Sequence, residues 1–297
     1  MNNYIKILLI YFKTYNNFFY LKTTYNKYYF CDKMNDKIAK ADAEVQKIIS
    51  QKRIKGDDDR KVGSEIFDKS TLETLYKLAN KNYLDILNGE ISTGKEANVL
   101  KCLKDNDYFA VKIYRIATSD FKKMNLYIDG DPRFNIRHNN KRQLITAWVL
   151  KEYKNLERLS NANVNVPKPI TALNNVLMLE FIGDKNGIPA KTVKYQKPND
   201  IEKFIEKLLD ETYKLIHDAK LVHGDLSVYN VMNFNEEPVI IDVSQSVISD
   251  HPLAKQLLER DIENLYNDFK KLGSKISLSE IESHIGVEDG KILSLKQ

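Results

Sequence analysis

The spacing of hydrophobic positions divides the chain into helical and extended stretches. Apolar residues recur at helical intervals in four places, which predicts helices near 70–80, 148–159, 200–219 and 253–272. The first helix begins with the capping-box spacing of Ser70-Thr71-Leu72-Glu73, and we expect this helix to cover a sheet. The other three lie beyond residue 140, so the C-terminal half is predicted to be mainly helical.

Residues 108–114 have a period of two and predict a β-strand. Phe109, Val111 and Ile113 share one face, which puts Lys112 on the other face, where a charged side chain is directed inward. A lysine in that position needs a negatively charged neighbour. The sequence therefore predicts an anion beside Lys112.

A second strand is predicted by the apolar run 176–183, which ends in a hinge between two parts of the chain. An adenine ring requires an apolar slot with a backbone acceptor and a backbone donor nearby. The carbonyl of Glu180 and the amide of Ile182, two residues apart, have the required separation. The alternative interpretation is a plain core strand.

Composition limits the class of protein. With 297 residues, of which 42% are hydrophobic, the chain can bury one substantial core or two modest lobes. A formal charge of +5 favours anionic partners but does not establish nucleic-acid binding. The two cysteines lack the spacing of a disulfide framework or a zinc site. Such cysteines suit a reducing cytosol, so we expect a cytoplasmic protein. No apolar run approaches the ~20 residues of a transmembrane helix, so we expect no membrane span.

The first 88 residues differ in composition from the rest. Residues 1–33 are rich in Tyr, Phe, Asn and Ile, and we interpret them as a leader that is disordered, dispensable or the result of a mis-assigned start. Met34 begins a charged stretch and is the alternative start. We assign residues 34–88 to a helical N-terminal extension.

A basic stretch follows the strand that carries Lys112. Residues 115–142 contain seven basic and three acidic residues, a net charge of +4, and show little periodicity. Long, polar and weakly patterned segments of this kind are typical of surface insertions. We therefore expect a mobile insertion at 115–142.

The strongest functional signal is the segment His223-Gly-Asp225-Leu-Ser-Val-Tyr-Asn230, followed twelve positions later by Asp242. Two carboxylates and a carboxamide at this spacing suit phosphoryl transfer, which needs one group at the acceptor and two on Mg²⁺. Asn230 and Asp242 are predicted to hold the metal, and Asp225 to contact the attacking hydroxyl or water. A single Asp or Asn usually only forms a turn, so the prediction depends on the combination.

A weaker signal precedes the Lys112 strand. In Ser92-Thr-Gly94-Lys-Glu-Ala97-Asn-Val99, the glycine positions of a G-x-G-x-x-G-x-V loop are filled by Ser92, Gly94 and Ala97. The segment lacks the Gly-Lys-Ser/Thr ending of a Walker loop. In a kinase-like small lobe the natural partner of Lys112 is Glu152, from the helix near 148–159, although a glutamate in a lysine-rich helix is otherwise simply solvated.

Together these motifs resemble the RIO family of atypical serine/threonine protein kinases. The strings that carry the resemblance are Ser92–Val99, Ala110-Val-Lys-Ile-Tyr114, Leu179–Gly183, His223–Asn230, Ile241-Asp-Val-Ser-Gln-Ser-Val247 and Asp250-His-Pro252. The first and fifth strings are similar to the family's first subfamily, and the resemblance covers about 65 to 275. It implies an α+β, two-lobed protein-kinase-like fold with a small antiparallel-sheet N-lobe, a mainly helical C-lobe and an N-terminal helical extension. Residues 89–183 would form the N-lobe and hinge, and 184–297 the C-lobe.

The resemblance also implies a role for each matching position. Lys112, steadied by Glu152, would bind the α- and β-phosphates of ATP; Asp225 would accept the proton; and Asn230 with Asp242 would hold Mg²⁺ or Mn²⁺. In this family the metal-binding aspartate can itself accept the phosphoryl group, so Asp242 is also a candidate aspartyl-phosphate site. The residues that would cover the phosphates are Ser92, Gly94, Lys95, Glu96, Ala97, Asn98 and Val99.

The family is associated with maturation of the small ribosomal subunit, which implies pre-ribosomal RNA and proteins as partners and the basic stretch 115–142 as a contact. Ordinary protein kinases carry a lysine where Ser227 stands and an Ala-Pro-Glu element after the position of Asp242, and this chain lacks both. The platform for an extended peptide is therefore missing. We expect ATPase-driven assembly with secondary serine autophosphorylation, for which Ser119 is one candidate acceptor.

Two other functions remain open from the sequence. Small-molecule kinases resembling aminoglycoside and choline phosphotransferases share His-Gly-Asp-Leu with Asn at plus five, but the present C-terminal lobe is too short to build much of their acidic substrate pocket. A non-enzymatic scaffold would bind nucleotide without turnover. It is disfavoured because every chemical position is filled by the expected residue type.

Overall fold

The computed structural model describes residues 68–116, 119–134 and 140–288, and the backbone alone of residues 5–12, 19–26 and 291–292. The pieces 5–12 and 19–26 are strands that pair with each other in antiparallel register. Most of the expected leader, the alternative start at Met34 and most of the expected N-terminal extension lie outside the described residues.

The N-terminal lobe is built on one antiparallel sheet. Among the described residues its strand order is β1-β2-β3-β4-β5-β7-β6, with every neighbouring pair antiparallel. The strands are β1 Ile5–Phe12, β2 Phe19–Asn26, β3 Ile86–Thr93, β4 Ala97–Lys104, β5 Asp107–Tyr114, β6 Pro169–Leu173 and β7 Val176–Glu180. The predicted strands at 108–114 and 176–183 correspond to β5 and β7. Strand β3 begins three residues before the expected start of the N-lobe at residue 89.

The helices of the described residues are α1 Lys69–Asn80, α2 Phe121–Ile128, α3 Lys141–Asn161, α4 Ile201–His217, α5 Ala254–Leu272 and α6 Leu278–His284. Helix α1 is capped by Asp68, whose Oδ1 accepts a hydrogen bond from the Thr71 amide at 2.7 Å. The predicted capping box at Ser70 is therefore wrong, because Asp68 supplies the capping oxygen two residues earlier.

Helices α1 and α3 cover opposite faces of the sheet. Under α1, Leu75 and Leu78 share a buried cluster with Val111 and Ile113 of β5. On the other face Ala110 belongs to the larger core, which includes the buried side of α3 and much of the C-terminal lobe. Because side chains alternate along β5, Val111 and Ile113 pack under α1, and Lys112 lies on the opposite face, toward α3.

The expected mobile insertion contains a folded helix. Met124, Tyr127 and Ile128 of α2 are buried in the larger core, and Tyr127 packs edge-on against Trp148 of α3. The expectation of a mobile insertion is therefore wrong for 121–128, where the apolar spacing is helical but extends over only two turns. Residues 117–118 and 135–139 lie outside the described part of the chain.

A hairpin in the C-terminal lobe places the two predicted metal ligands together. The short strands are β8 Lys191–Thr192, β9 Leu221–Val222, β10 Val231–Phe234, β11 Glu237–Ile240, β12 Val247–Ile248, β13 Val287–Glu288 and β14 Lys291–Ile292. In the β10–β11 hairpin Val231 lies opposite Ile240. Asn230 precedes one strand and Asp242 follows the other, so both lie at the open end of the hairpin.

Helices α4 and α5 support this hairpin and the loop before it through the shared apolar core. Each presents a stripe of apolar residues inward, as the helical spacing predicts. Over the described residues, none of the helices has both the length and the apolar character needed to cross a bilayer.

Candidate active site

Lys112 lies at the centre of a group of charges where the two lobes meet. Its Nζ is 2.7 Å from Oε1 of Glu152 on α3 and 2.8 Å from Oδ1 of Asp242, which follows β11. The hydroxyl of Tyr114 donates a hydrogen bond to the other carboxylate oxygen of Glu152. Two carboxylates, 40 and 130 positions away in the chain, thus converge on one ammonium group.

The charges in this group alter one another's pKa values. Desolvation opposes the charged form of Lys112, yet the carboxylates of Asp242 and Glu152 raise its pKa well above the ordinary value. Burial raises the pKa of Glu152, partly offset by Lys112. Partial desolvation also acts to raise the pKa of Asp242, but the Lys112 ammonium overcomes this and lowers it. At neutral pH Lys112 is therefore a cation and Asp242 an anion.

Asp242 has an unusual backbone conformation. Its φ is 60°, in the left-handed region that non-glycine residues seldom adopt. The side chain remains 49% exposed even though Oδ1 also accepts a hydrogen bond from Ser244 Oγ at 3.0 Å. Conformations of this kind persist only where the surroundings enforce them, and they cluster at functional sites.

The loop that carries Asp225 is held in place by the buried side chain of Asp261. Asp261 of α5 accepts hydrogen bonds from the amides of Gly224 at 2.7 Å and Leu226 at 2.8 Å, one on each side of Asp225. Burial raises the pKa of Asp261 to about 7. These two bonds fix the backbone of the loop, so Asp225 projects from a rigid support.

Asn230 joins the two ends of the site. Its Nδ2 donates to the backbone oxygen of Asp225 at 2.8 Å and to the Oδ2 of the same residue at 3.3 Å. Its own carbonyl accepts from the Ile241 amide at 2.9 Å, next to Asp242. The structure therefore brings Asp225, Asn230 and Asp242 into one contiguous region.

His223 contributes structure to this region. Its Nδ1 accepts a hydrogen bond from the Asp225 amide at 3.2 Å, so Nε2 carries the proton and donates to the Ile241 carbonyl at 3.1 Å. Burial lowers the pKa of His223, which favours this neutral form. The ring thereby connects the Asp225 loop to the residue before Asp242.

The segment Ser92–Val99 forms the tip of the β3–β4 hairpin above this group. Ser92 pairs with Val99, and the Gly94 amide donates to the Ala97 carbonyl at 2.9 Å. A Cβ atom on Gly94 would lie 2.8 Å from that carbonyl oxygen, which is too close. The tight turn needs glycine at 94, whereas Ser92 and Ala97 stand at the other two glycine positions of the pattern.

Within this tip, Asn98 is fully buried and has a supporting position. Its Nδ2 donates to Glu90 Oε1 at 2.9 Å, and its Oδ1 accepts from Arg115 Nε at 2.7 Å. Burial raises the pKa of Glu96, which is half-buried near the Lys112 group, whereas Lys95 is exposed at the turn. Any contact of Asn98 with a ligand would thus come from its backbone.

The hinge residues lie at the end of β7, next to the strand that carries Lys112. Glu180 pairs with Phe109 of β5, and its side chain accepts a hydrogen bond from the Lys168 amide at 3.1 Å. The Ile182 carbonyl accepts from Ala190 at 3.0 Å. Contact of the Glu180 carbonyl and the Ile182 amide with an adenine ring stays a prediction.

Sequence reasoning missed Lys151, Asn155 and Asp261. Lys151 and Asn155 lie one turn apart on the buried face of α3, and both donate hydrogen bonds to backbone carbonyls in 243–246. Polar residues four apart on an otherwise apolar helix face were the available signal for the first two. For Asp261 the chain offers no local pattern that distinguishes it from its acidic neighbours.

The structure argues against Ser119 as a phosphate acceptor. The residue is only 7% exposed, and its hydroxyl donates to the Arg115 carbonyl. The prediction failed because it treated the whole of 115–142 as exposed. An acceptor hydroxyl has to reach the donor nucleotide, and Ser119 is turned into the fold.

The donor set suits a magnesium ion that arrives with a nucleotide. In the described part of the chain, no group of three or more His, Cys, Asp or Glu side chains is arranged to hold a metal by itself. Mg²⁺ is usually held by one or two carboxylates together with substrate phosphates and water. One carboxylate from Asp242 and one carboxamide from Asn230 fit that requirement.

Comparison with known proteins agrees with this geometry. Residues 98–282 match the RIO domain family model, RIO1. The RIO-type serine/threonine-protein kinase Rio1 of Methanocaldococcus jannaschii is 46% identical over 230 residues, 77% of this chain and 79% of the relative. The human serine/threonine-protein kinase RIO1 is 35% identical over 81% of this chain and 44% of the relative. The Rio2 kinase of Chaetomium thermophilum, solved as an ADP/Mg²⁺-phosphoaspartate complex, shares the fold with a TM-score of 0.56 at 19% identity, over 76% of this chain and 70% of that chain.

Proposed function

Because the chain belongs to the RIO family of serine/threonine-protein kinases, we propose that it uses Mg²⁺-ATP for phosphoryl transfer and ATP hydrolysis during maturation of the small ribosomal subunit. The observation that carries the proposal is the position of Lys112 between Glu152 and Asp242. A cation fixed between a helix of one lobe and a metal-binding candidate of the other is suited to bind a triphosphate in the cleft. The small-molecule kinase alternative gains nothing from the curated relatives, which are named as protein kinases.

Each side chain has a task that follows from its surroundings. Lys112, whose raised pKa keeps it charged, binds the α- and β-phosphates, and Glu152 holds its ammonium in place. The backbone amides of the β3–β4 tip from Ser92 to Val99 cover the phosphates. The Glu180 carbonyl and the Ile182 amide hold the adenine ring.

Asn230 and Asp242 hold Mg²⁺, with Mn²⁺ as a substitute. Their placement at the open end of the β10–β11 hairpin supports this assignment. When bound, the metal neutralises charge that develops on the phosphate oxygens. Asp225, fixed by Asp261 and Asn230, accepts the proton of the attacking hydroxyl or water.

We further propose that Asp242 is phosphorylated during the cycle. Its carboxylate oxygen attacks the γ-phosphorus of ATP, the bond to the bridging oxygen breaks and ADP departs. Water then attacks the phosphorus of the acyl phosphate and gives its proton to Asp225. The bond between phosphorus and the Asp242 oxygen breaks, so the Asp242 carboxylate is regenerated and phosphate is released. The Rio2 structure named as a phosphoaspartate complex supports this step by analogy of fold, and the 49% exposure of Asp242 leaves the group accessible.

The cellular role rests on family membership and on charge. The chain has a net charge of +5, and the basic residues of 115–142 offer contacts for phosphate groups of pre-ribosomal RNA. In this proposal the protein acts on pre-ribosomal particles in the cytoplasm. Serine autophosphorylation is a secondary activity, and its acceptor lies elsewhere than at the buried Ser119.

Labelling with γ-phosphate-labelled ATP and Mg²⁺ tests the proposal. We expect ATP hydrolysis and an acid-stable, alkali-labile label that maps to Asp242 and disappears in Asp242→Asn. Turnover with label on serine alone, unchanged in Asp242→Asn, would refute the aspartyl-phosphate step while keeping the kinase. Absence of both Mg²⁺-dependent hydrolysis and label would refute the proposed function.

A further inference from the structure

The four residues that follow Asp242 are fixed by side chains of α3. Asn155 Nδ2 donates hydrogen bonds to the carbonyls of Val243 at 3.0 Å and Ser246 at 2.9 Å. Lys151 Nζ donates to the carbonyls of Ser244 at 3.0 Å and Ser246. Both side chains have an exposed fraction of 0%. Three carbonyls within four residues are thus bound by two adjacent turns of one helix.

This attachment closes a ring of contacts around the candidate metal ligand. Helix α3 carries Glu152, which binds Lys112, and Lys112 binds Asp242. The chain continues from Asp242 into 243–246 and returns to α3 through Lys151 and Asn155. The left-handed φ of 60° at Asp242 is therefore enforced from both sides, by its side-chain partners and by the anchored residues after it.

The ring is connected to the basic stretch after the Lys112 strand. Arg133 Nη2 donates to Asn155 Oδ1 at 2.9 Å, which orients the amide so that its NH₂ group faces 243–246. Arg133 in turn forms a two-pronged contact with the buried Asp131, at 2.9 Å from Nε and 2.7 Å from Nη2. The Asp129 carbonyl, two residues before Asp131, also lies 2.9 Å from Nε2 of His251, which follows residues 243–246 in the chain.

We propose that Lys151 and Asn155 are positioning residues that hold Asp242 in its metal-binding and phosphoryl-accepting orientation, and that Arg133 sets the direction of the Asn155 amide. The inference rests on the proposed function of Asp242 and extends it. Replacing groups that orient a metal ligand from outside typically costs about 10–100-fold in metal affinity or activity. A purely structural hydrogen bond would affect stability alone.

Asn155→Asp is the most discriminating variant. Aspartate has the same shape and still accepts a hydrogen bond from Arg133, but it has no N–H to give to Val243 and Ser246. The matched control is Asn175→Asp, because Asn175 is also buried and donates to the Thr71 hydroxyl at 2.8 Å and the Tyr114 carbonyl at 3.0 Å, away from 243–246.

The measurement is ATP turnover as a function of Mg²⁺ concentration at saturating ATP, with the melting temperature of each variant. For Asn155→Asp we expect kcat to fall ~10–100-fold and half-saturating Mg²⁺ to rise about 10-fold. For Asn175→Asp we expect a lower melting temperature with kcat per folded protein and half-saturating Mg²⁺ unchanged. Equal loss of melting temperature in both variants, with the same Mg²⁺ dependence as the wild type, would overturn the proposal.

Lys151→Met provides a second test if Asn155→Asp does not fold. Methionine keeps the length of the side chain and replaces a buried amino group by an apolar one, so the fold is expected to tolerate it. The Ser244 carbonyl loses its donor, and the Ser246 carbonyl keeps only the hydrogen bond from Asn155. The same shift in Mg²⁺ dependence supports the proposal, and an unshifted curve contradicts it. A wild-type protein without Mg²⁺-dependent turnover contradicts the proposed function, and this inference with it.

Discussion

Lys112 and Glu152, forty positions apart in the chain, form an ion pair with 2.7 Å between Nζ and Oε1, and both side chains are nearly inaccessible to solvent. Helix α3, which carries Glu152, packs against the sheet that contains β5, so the pair forms only when the N-lobe is folded. The third partner, Asp242, belongs to the C-terminal lobe. The site therefore depends on the assembly of all three elements.

Replacing Lys112 by Met leaves Glu152 buried without its cation. We expect the free energy of unfolding to fall by about 3 kcal/mol, at the lower end for a broken buried pair because the raised pKa of Glu152 lets it take up a proton. We also expect kcat/KM for ATP to fall ~100-fold or more, because a phosphate-binding cation is lost. Urea denaturation and steady-state kinetics measure the two effects.

The control for this variant is Lys101→Met on the neighbouring strand β4. Lys101 is partly exposed and donates to the Gly187 carbonyl at 2.7 Å, so its loss should cost about 1 kcal/mol or less. Turnover should not change. If the two variants had equal stability and equal activity, the Lys112 pair would not have the role given to it.

Asp225→Asn removes the proposed proton acceptor while keeping the shape of the side chain. Because the loop is held by Asp261 through backbone amides, the fold should be unaffected. We expect ATP hydrolysis to fall ~10²–10⁴-fold with nucleotide affinity retained. The exposed cap residue Asp218 supplies the matched variant, Asp218→Asn, which should hydrolyse ATP normally. Full activity in Asp225→Asn would show that Asp225 is not the proton acceptor.

Asp261 gives the protein a pH-dependent stability. Its folded-state pKa of about 7 lies above the ordinary 3.8, so the folded protein binds more protons than the unfolded one between those values. Its contribution to stability is complete below pH ~4 and is lost as the pH rises toward about 7, with a slope of at most about 1.4 kcal/mol per pH unit. Urea denaturation between pH 4.5 and 7 should show this slope in the wild type and its absence in Asp261→Asn. Parallel curves for the two proteins would contradict the assignment.

Gly94→Ala tests the tip of the β3–β4 hairpin. A methyl group there would lie 2.8 Å from the Ala97 carbonyl oxygen, so the turn has to open and its amides shift. We expect a stability loss of about 1–3 kcal/mol and a raised KM for ATP. Gly273→Ala, at the strained C-cap of α5 with a φ of 106° and open space around it, should reduce stability without changing KM. A normal KM in Gly94→Ala would show that the tip does not contact the nucleotide.

The parts of the site visible in the sequence are those whose spacing is fixed by local chemistry. The eight residues from His223 to Asn230 form one loop, and the hairpin that follows brings Asp242 back beside it. The alternation of β5 assigned Lys112 to the face opposite Val111 and Ile113, and the structure places it there. Strict periodicity and a short loop leave little freedom for tertiary packing to alter such predictions.

The parts that were missed depend on contacts between distant segments. Lys151 contacts Ser244 and Ser246 across more than ninety positions, and the spacing of polar residues on a helix face does not show which distant segment they will contact. Helix α2 is too short for its periodicity to stand out from a polar segment. The cap at Asp68 was overlooked because Ser70 offered the more familiar spacing, although only the geometry of the chain entry decides between them.

The most direct test of the central claim is a crystal structure of the protein with Mg²⁺ and a non-hydrolysable ATP analogue. The account predicts Lys112 Nζ within ~3 Å of an α- or β-phosphate oxygen while still paired with Glu152, and the metal between the side chains of Asn230 and Asp242. Nucleotide bound away from these residues, or a cleft without nucleotide at saturating concentration, would contradict it.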